Sequence, residues 1–118
     1  MGLWGIICLQ FVQEKKSEGR VIKAADYFVE EMLKVGIKDV FLLSGGANLP
    51  VVDANDRNPE MDFLCTHHEQ TAAMAAEAYA RVNDGFGACL VTTGPGGTNA
   101  MTGVLGAWQD SIPVMYLS

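Results

Sequence analysis

Val40-Phe41-Leu42-Leu43 carries no polar side chain, and an uninterrupted apolar run of this length suits a strand buried on both faces. Further strands are expected over residues 61–65, 88–93 and 114–117, and the stretches around them repeat at helical spacing. Val21, Ile22, Ala25, Phe28, Val29, Met32 and Leu33 form one helical face, with Lys23, Asp26, Glu30 and Lys34 on the other. Gly36 is placed to end that helix. Residues 49–53 predict a short helix with Pro50 in its first turn, and residues 55–59 read as loop. An alanine-rich helix is expected over 70–82, closed by Asn83-Asp84-Gly85. Another is expected over 100–109, with Met101, Val104, Leu105 and Trp108 as its buried stripe. Strands alternating with helices imply an α/β fold: a parallel sheet, right-handed crossovers and helices on both faces.

The bulk properties narrow the function classes. A chain of 118 residues suits one domain, and 49% hydrophobic against 19% charged residues supports a core rather than disorder. A formal charge of -6 argues against nucleic acid as a partner, which would need a basic face. The apolar start, Leu3-Trp4-Gly5-Ile6-Ile7-Cys8-Leu9, is too short to span a bilayer and lacks the basic lead-in of a signal peptide. Residues 1–19 therefore read as an extension, and residues 20–118 as the domain. Cys8, Cys65 and Cys89 form no metal spacing and read as buried free thiols of a reducing, cytoplasmic compartment. The last apolar run ends at Ser118 with no helix after it, which predicts a truncated fold.

In a parallel sheet every loop that follows a strand lies on one edge, where open α/β folds bind their ligands. Here those loops are 44–48, 66–70 and 94–99. Gly94-Pro95-Gly96-Gly97-Thr98-Asn99 brings backbone amides close to a ligand, yet it fails both the dinucleotide fingerprint and the phosphate P-loop. A nucleotide-binding domain is accordingly the weakest alternative. Thr66-His67-His68-Glu69 has the spacing of a capping box, in which Thr66 and Glu69 would satisfy helix-end amides. The alternative for Glu69 is a partly desolvated carboxyl with a raised pKa, able to exchange a proton with a bound heterocycle. His67 and His68 lack a third partner for a metal and read as polar loop residues. Asp110 falls on the opposite edge and is discounted for catalysis.

Three segments then resemble one family in order and spacing. Residues 66–70 with the Ala78-Tyr79-Ala80-Arg81 helix end resemble the "HEQ…AEGYAR" segment of thiamine diphosphate-dependent enzymes. Residues 90–99 resemble their "LVTSGPGATN", and Asp110-Ser111-Ile112-Pro113 with the following strand also fits. The similarity runs from Arg20 to Ser118 and is nearest the acetolactate synthases, although Ser44 and Gly97 stand where proline and alanine are common. It implies the thiamine diphosphate-binding fold and an amino-terminal domain that grips the cofactor's aminopyrimidine. Glu69 would be the catalytic glutamate, promoting the imino tautomer of the ring, and Gly45, Glu69, Pro95 and Asn99 would contact the ring region. The diphosphate and its Mg2+ would sit on a separate domain, usually of a partner subunit. The implied chemistry is decarboxylation or carboligation of 2-oxo acids in a homo-oligomer, with the chain by itself inactive. The alternative within the same fold is a non-catalytic dimerisation module.

Overall fold

The structure, a computed structural model, describes residues 22–118. The expected extension over 1–19 lies outside the described residues, as does Cys8. The elements run α1 (Ala24–Lys34), β1 (Asp39–Leu42), α2 (Leu49–Arg57), β2 (Asp62–Cys65), α3 (Glu69–Asn83), β3 (Gly87–Leu90), α4 (Pro95–Gln109) and β4 (Val114–Leu117). Every strand pairing is parallel, and the sheet order is β2-β1-β3-β4. The chain thus leaves β1 on one side to reach β2, then returns past it to β3. This reversal places a topological switch point between the carboxyl ends of β1 and β3.

Alternation along the strands divides the core into two layers. Val40 and Leu42 of β1, with Ala88 and Leu90 of β3, pack with Met32 and Ile37, and Phe28, Val51 and Val52 from α1 and α2 lie against them. On the other face Cys89 and Val91 meet Ala72, Ala73, Ala76 and Ala100, with Phe41 and Tyr116 alongside. Helices cover both faces, as the periodicity predicts.

The boundaries and facing of several elements differ from expectation for physical reasons. Helix α2 continues through 55–57, where a loop was expected. Arg57 bonds Asp53 one turn back at 3.0 Å and also pairs with Asp26 of α1. Helix α4 begins at Pro95 rather than at residue 100, so the glycine-rich turn is mostly the first turn of a helix. Gly94 makes the reversal with φ of 72°, and Pro95 then supplies a φ already suited to a first helical position.

The expected stripe of α4 points outward: Met101, Leu105 and Trp108 are exposed. The buried face is Gly96, Ala100, Gly103 and Ala107. A Cβ on Gly103 would stand 2.5 Å from that of Ala73, so contact this close requires the small residues of the two helices to face each other. Close approach of α3 to the sheet has the same basis, because a Cβ on Gly87 would lie 2.1 Å from the Ala76 carbonyl oxygen.

Two local expectations are corrected as well. Cys65 ends the edge strand β2 and is exposed, whereas Cys89 is buried, and burial pushes the Cys89 thiol up to about 12. The capping box does not form. The Thr66 hydroxyl donates to the His68 carbonyl at 2.9 Å, with the Leu42 carbonyl 3.4 Å away, and Nδ1 of His68 accepts from the Gln70 amide at 3.1 Å. His68 is therefore the N-cap, and the helix starts with Glu69.

Candidate functional site at the carboxyl edge

The loops after β1, β2 and β3 meet at the switch point. After β1 the chain turns through Gly45, and buried Asn48 holds the turn closed. Its Oδ1 accepts from the Gly45 amide at 2.8 Å, and its Nδ2 donates to the Leu43 carbonyl at 3.1 Å. After β2 the Thr66 and His68 bonds deliver Glu69 into the first turn of α3 with only 9% of its surface exposed. After β3 the chain passes Thr92, reverses at Gly94 and enters α4, whose first turn carries Gly96 and whose second begins with Asn99.

Several of these residues touch one another at this edge. Asn99 Nδ2 donates to Glu69 Oε2 at 3.0 Å. A Cβ on Gly96 would lie 3.5 Å from Glu69 Oε1 and 2.9 Å from Thr92 Cγ2, and one on Gly45 would lie 2.5 Å from Thr92 Cβ. Of the expected site residues, Glu69 and Asn99 are directly bonded. Gly45 joins them through Thr92 and Gly96, and Pro95 stands exposed at the start of the same helix. Glu69 thus lies against the bend that carries Gly96.

Sequence reasoning missed Thr92, Asn48 and the capping role of His68. Asn48 had a legible signal, since asparagine just after a glycine pair is a turn-former. Thr92 had none, because its importance lies in the space that Gly45 and Gly96 leave for it. That packing alone explains both glycines, so the expectation that glycine marks ligand approach needs other support.

The expected raised pKa of Glu69 is also corrected. The hydrogen bond from Asn99, and then the N–H of Glu69's own backbone, hold the carboxyl below the ordinary range. Burial pushes the other way and loses, while the nearby His68 adds a smaller lowering. The site thus holds a carboxylate rather than a neutral acid at neutral pH.

A parallel α/β domain with a switch point at the carboxyl edge belongs to the open α/β class, whose ligand sites lie at that edge. Residues 22–118 match the thiamine pyrophosphate enzyme, N-terminal TPP binding domain, and the chain belongs to that family. It is similar to the mitochondrial acetolactate synthase of Schizosaccharomyces pombe, with 45% identity over 93 residues, covering 79% of this chain and 14% of that protein. The acetolactate synthase of Arthrospira platensis is 34% identical over 110 residues, covering 91% and 19%. For the isozyme 3 large subunit of Escherichia coli the figures are 40% over 98 residues, 83% and 17%. The chain thus spans under a fifth of the length of these relatives.

Proposed function

We propose that this chain is the aminopyrimidine-gripping part of a thiamine diphosphate-dependent carboligase or decarboxylase acting on 2-oxo acids, of the acetolactate synthase kind. One observation carries the reading: the Glu69 carboxylate is shielded at the switch point, bonded to one amide and faced by a residue without a side chain. The chemistry of the surrounding groups fits the ring rather than the diphosphate. Loops 44–48, 66–70 and 91–99 contain no lysine or arginine, and besides the imidazoles of His67 and His68 they present a carboxylate, amides and hydroxyls. A flat heterocycle with nitrogen donors and acceptors matches that set, and a polyanion does not. As the family resemblance implies, the diphosphate and Mg2+ would be held by a separate domain.

Bound thiamine diphosphate would supply a thiazolium carbon that attacks the oxo acid once deprotonated. The part of Glu69 is to bond a ring nitrogen and hold a proton there. Gly45 and Pro95 border the ring region, and Asn99 reaches it from α4. In the assembled enzyme, Glu69→Gln should slow proton exchange at the thiazolium carbon by about 100-fold or more, the usual contribution of a placed acid or base. Exchange at the unmutated rate, followed by NMR in deuterated buffer, defeats the role.

A second reading has its own support. Met101, Leu105 and Trp108, the last 69% exposed, make an apolar stripe along α4 of the kind that marks an association surface. It supports a homo-oligomer, and a role in assembly alone would leave ring binding unnecessary. Sedimentation at several concentrations, with and without cofactor and Mg2+, separates the two. Self-association indifferent to cofactor favours the assembly role, and a monomer throughout removes it.

Residues 20–118 are proposed as the domain and 1–19 as its extension. The unpaired thiols of Cys65 and Cys89 support a reducing compartment such as the cytoplasm. No helix among the described residues is long and apolar enough to cross a membrane.

A further inference from the structure

Asn99 was expected to touch the cofactor ring. Its side-chain nitrogen also donates a hydrogen bond to Glu69 Oε2, from the helix facing the one that carries the glutamate. The other oxygen, Oε1, receives no side-chain hydrogen bond among the described residues and lies on the Gly96 side, 3.5 Å from where a Cβ on that glycine would stand. We propose that Asn99 is a positioning residue: it fixes Oε2, so that Oε1 is the single oxygen of Glu69 turned toward the ligand. The inference rests on the thiamine diphosphate reading for the identity of that ligand, but not for the division of labour between the oxygens.

The physical case has two parts. A carboxylate with both oxygens free rotates between equivalent orientations, whereas one tied to an amide on a packed neighbouring helix keeps one geometry, and a ring-bonding acid or base needs a fixed geometry. The tie is rigid because Gly96, Ala100 and Gly103 of α4 are buried and Gly103 lies against Ala73 of α3, within a turn or two of Glu69 and Asn99. The tie also sets the charge state, since an amide donor favours the ionised carboxyl. The titratable groups near Glu69 are His68 at the cap of its own helix and the Cys89 thiol of β3. The α4 side contributes a neutral amide, so removing it exchanges no charge.

The test uses the 118-residue chain without cofactor, following the Glu69 side-chain carboxyl and the Asn99 side-chain amide by NMR across acid pH. In the wild type, Glu69 titrates below the ordinary glutamate range and the Asn99 amide signal moves with it. Asn99→Ala shifts the Glu69 midpoint upward, and Asn99→Asp, which keeps the shape but replaces the donor with a second carboxyl, shifts it further. An Asn99 amide signal indifferent to the Glu69 titration overturns the proposal, and that measurement needs no variant to fold. An Asn99→Ala midpoint equal to wild type overturns it equally. Either failure leaves the cofactor reading standing, and normal thiazolium exchange in Glu69→Gln would remove that reading while leaving the Asn99 assignment intact.

Discussion

The two faces of the sheet solve the same packing problem in opposite ways. Under α1 and α2 the core is built of large side chains, Met32, Ile37, Val40 and Leu42, which hold the helices away from the sheet and fill the gap. Under α3 and α4 it is built mostly of alanine and glycine, and the backbones themselves come together. The first layer is stabilised by apolar area, at ~1.5–3 kcal/mol for each large side chain fully buried. The second has little area per residue, and its close contacts leave few ways for the helices to shift. The site lies on the second layer. Glu69 starts α3 and Asn99 lies near the start of α4, two helices packed closely together, which keeps a hydrogen bond between side chains 30 positions apart in register.

If this contrast is right, opposite substitutions should harm the two layers. Leu42→Ala leaves a cavity in the large-residue layer and is expected to cost about 4 kcal/mol of unfolding free energy. Gly87→Ala, which adds a single methyl against the Ala76 carbonyl, should cost about 3 kcal/mol by overpacking. Urea unfolding measures both. A Gly87→Ala protein as stable as wild type would show that α3 is free to lift away and would end the comparison.

Asn55 sharpens it from the other side. Its side chain is fully buried in the large-residue layer, and neither its Nδ2 nor its Oδ1 has a hydrogen-bond partner among the described residues. Replacing it with leucine, similar in size and a better helix former, should stabilise by about 1–2 kcal/mol, read as a raised Tm.

The smallest expected effect is at the helix start. His68→Ala should cost about 1 kcal/mol as its cap is lost, and His68→Asn should recover most of that, since an asparagine oxygen can accept the same amide. Urea unfolding of both variants measures the cap. A His68→Ala protein as stable as wild type would show that the ring does not cap.

Glu69 adds a separate acid dependence. Its pKa is depressed in the folded chain, so its contribution is present above the ordinary carboxylate range and is lost as pH falls through the lower folded value.

How much of this could be read from the residues alone differs between the layers. Val40 and Leu42 announced themselves, because large apolar residues in a short run have few places to go. The facing of α4 did not. Periodicity picked Met101, Leu105 and Trp108, when the buried face was the one with almost no side chain. Weighing residues by hydrophobic size cannot detect a face selected for its lack of size. The same blindness hid Thr92, whose place is recorded as two glycines at positions 45 and 96 that lie apart in the chain.

The order of strands and helices, the parallel sheet and the gathering of Gly45, Glu69 and Asn99 on one edge follow from the chain alone, because they depend on local periodicity and on the single direction of parallel strands. Which face of α4 turns inward, which group caps α3 and whether Glu69 carries a charge depend on what stands opposite each residue. Close approach of two backbones and one amide from another helix settled them, and neither is a local property of the chain.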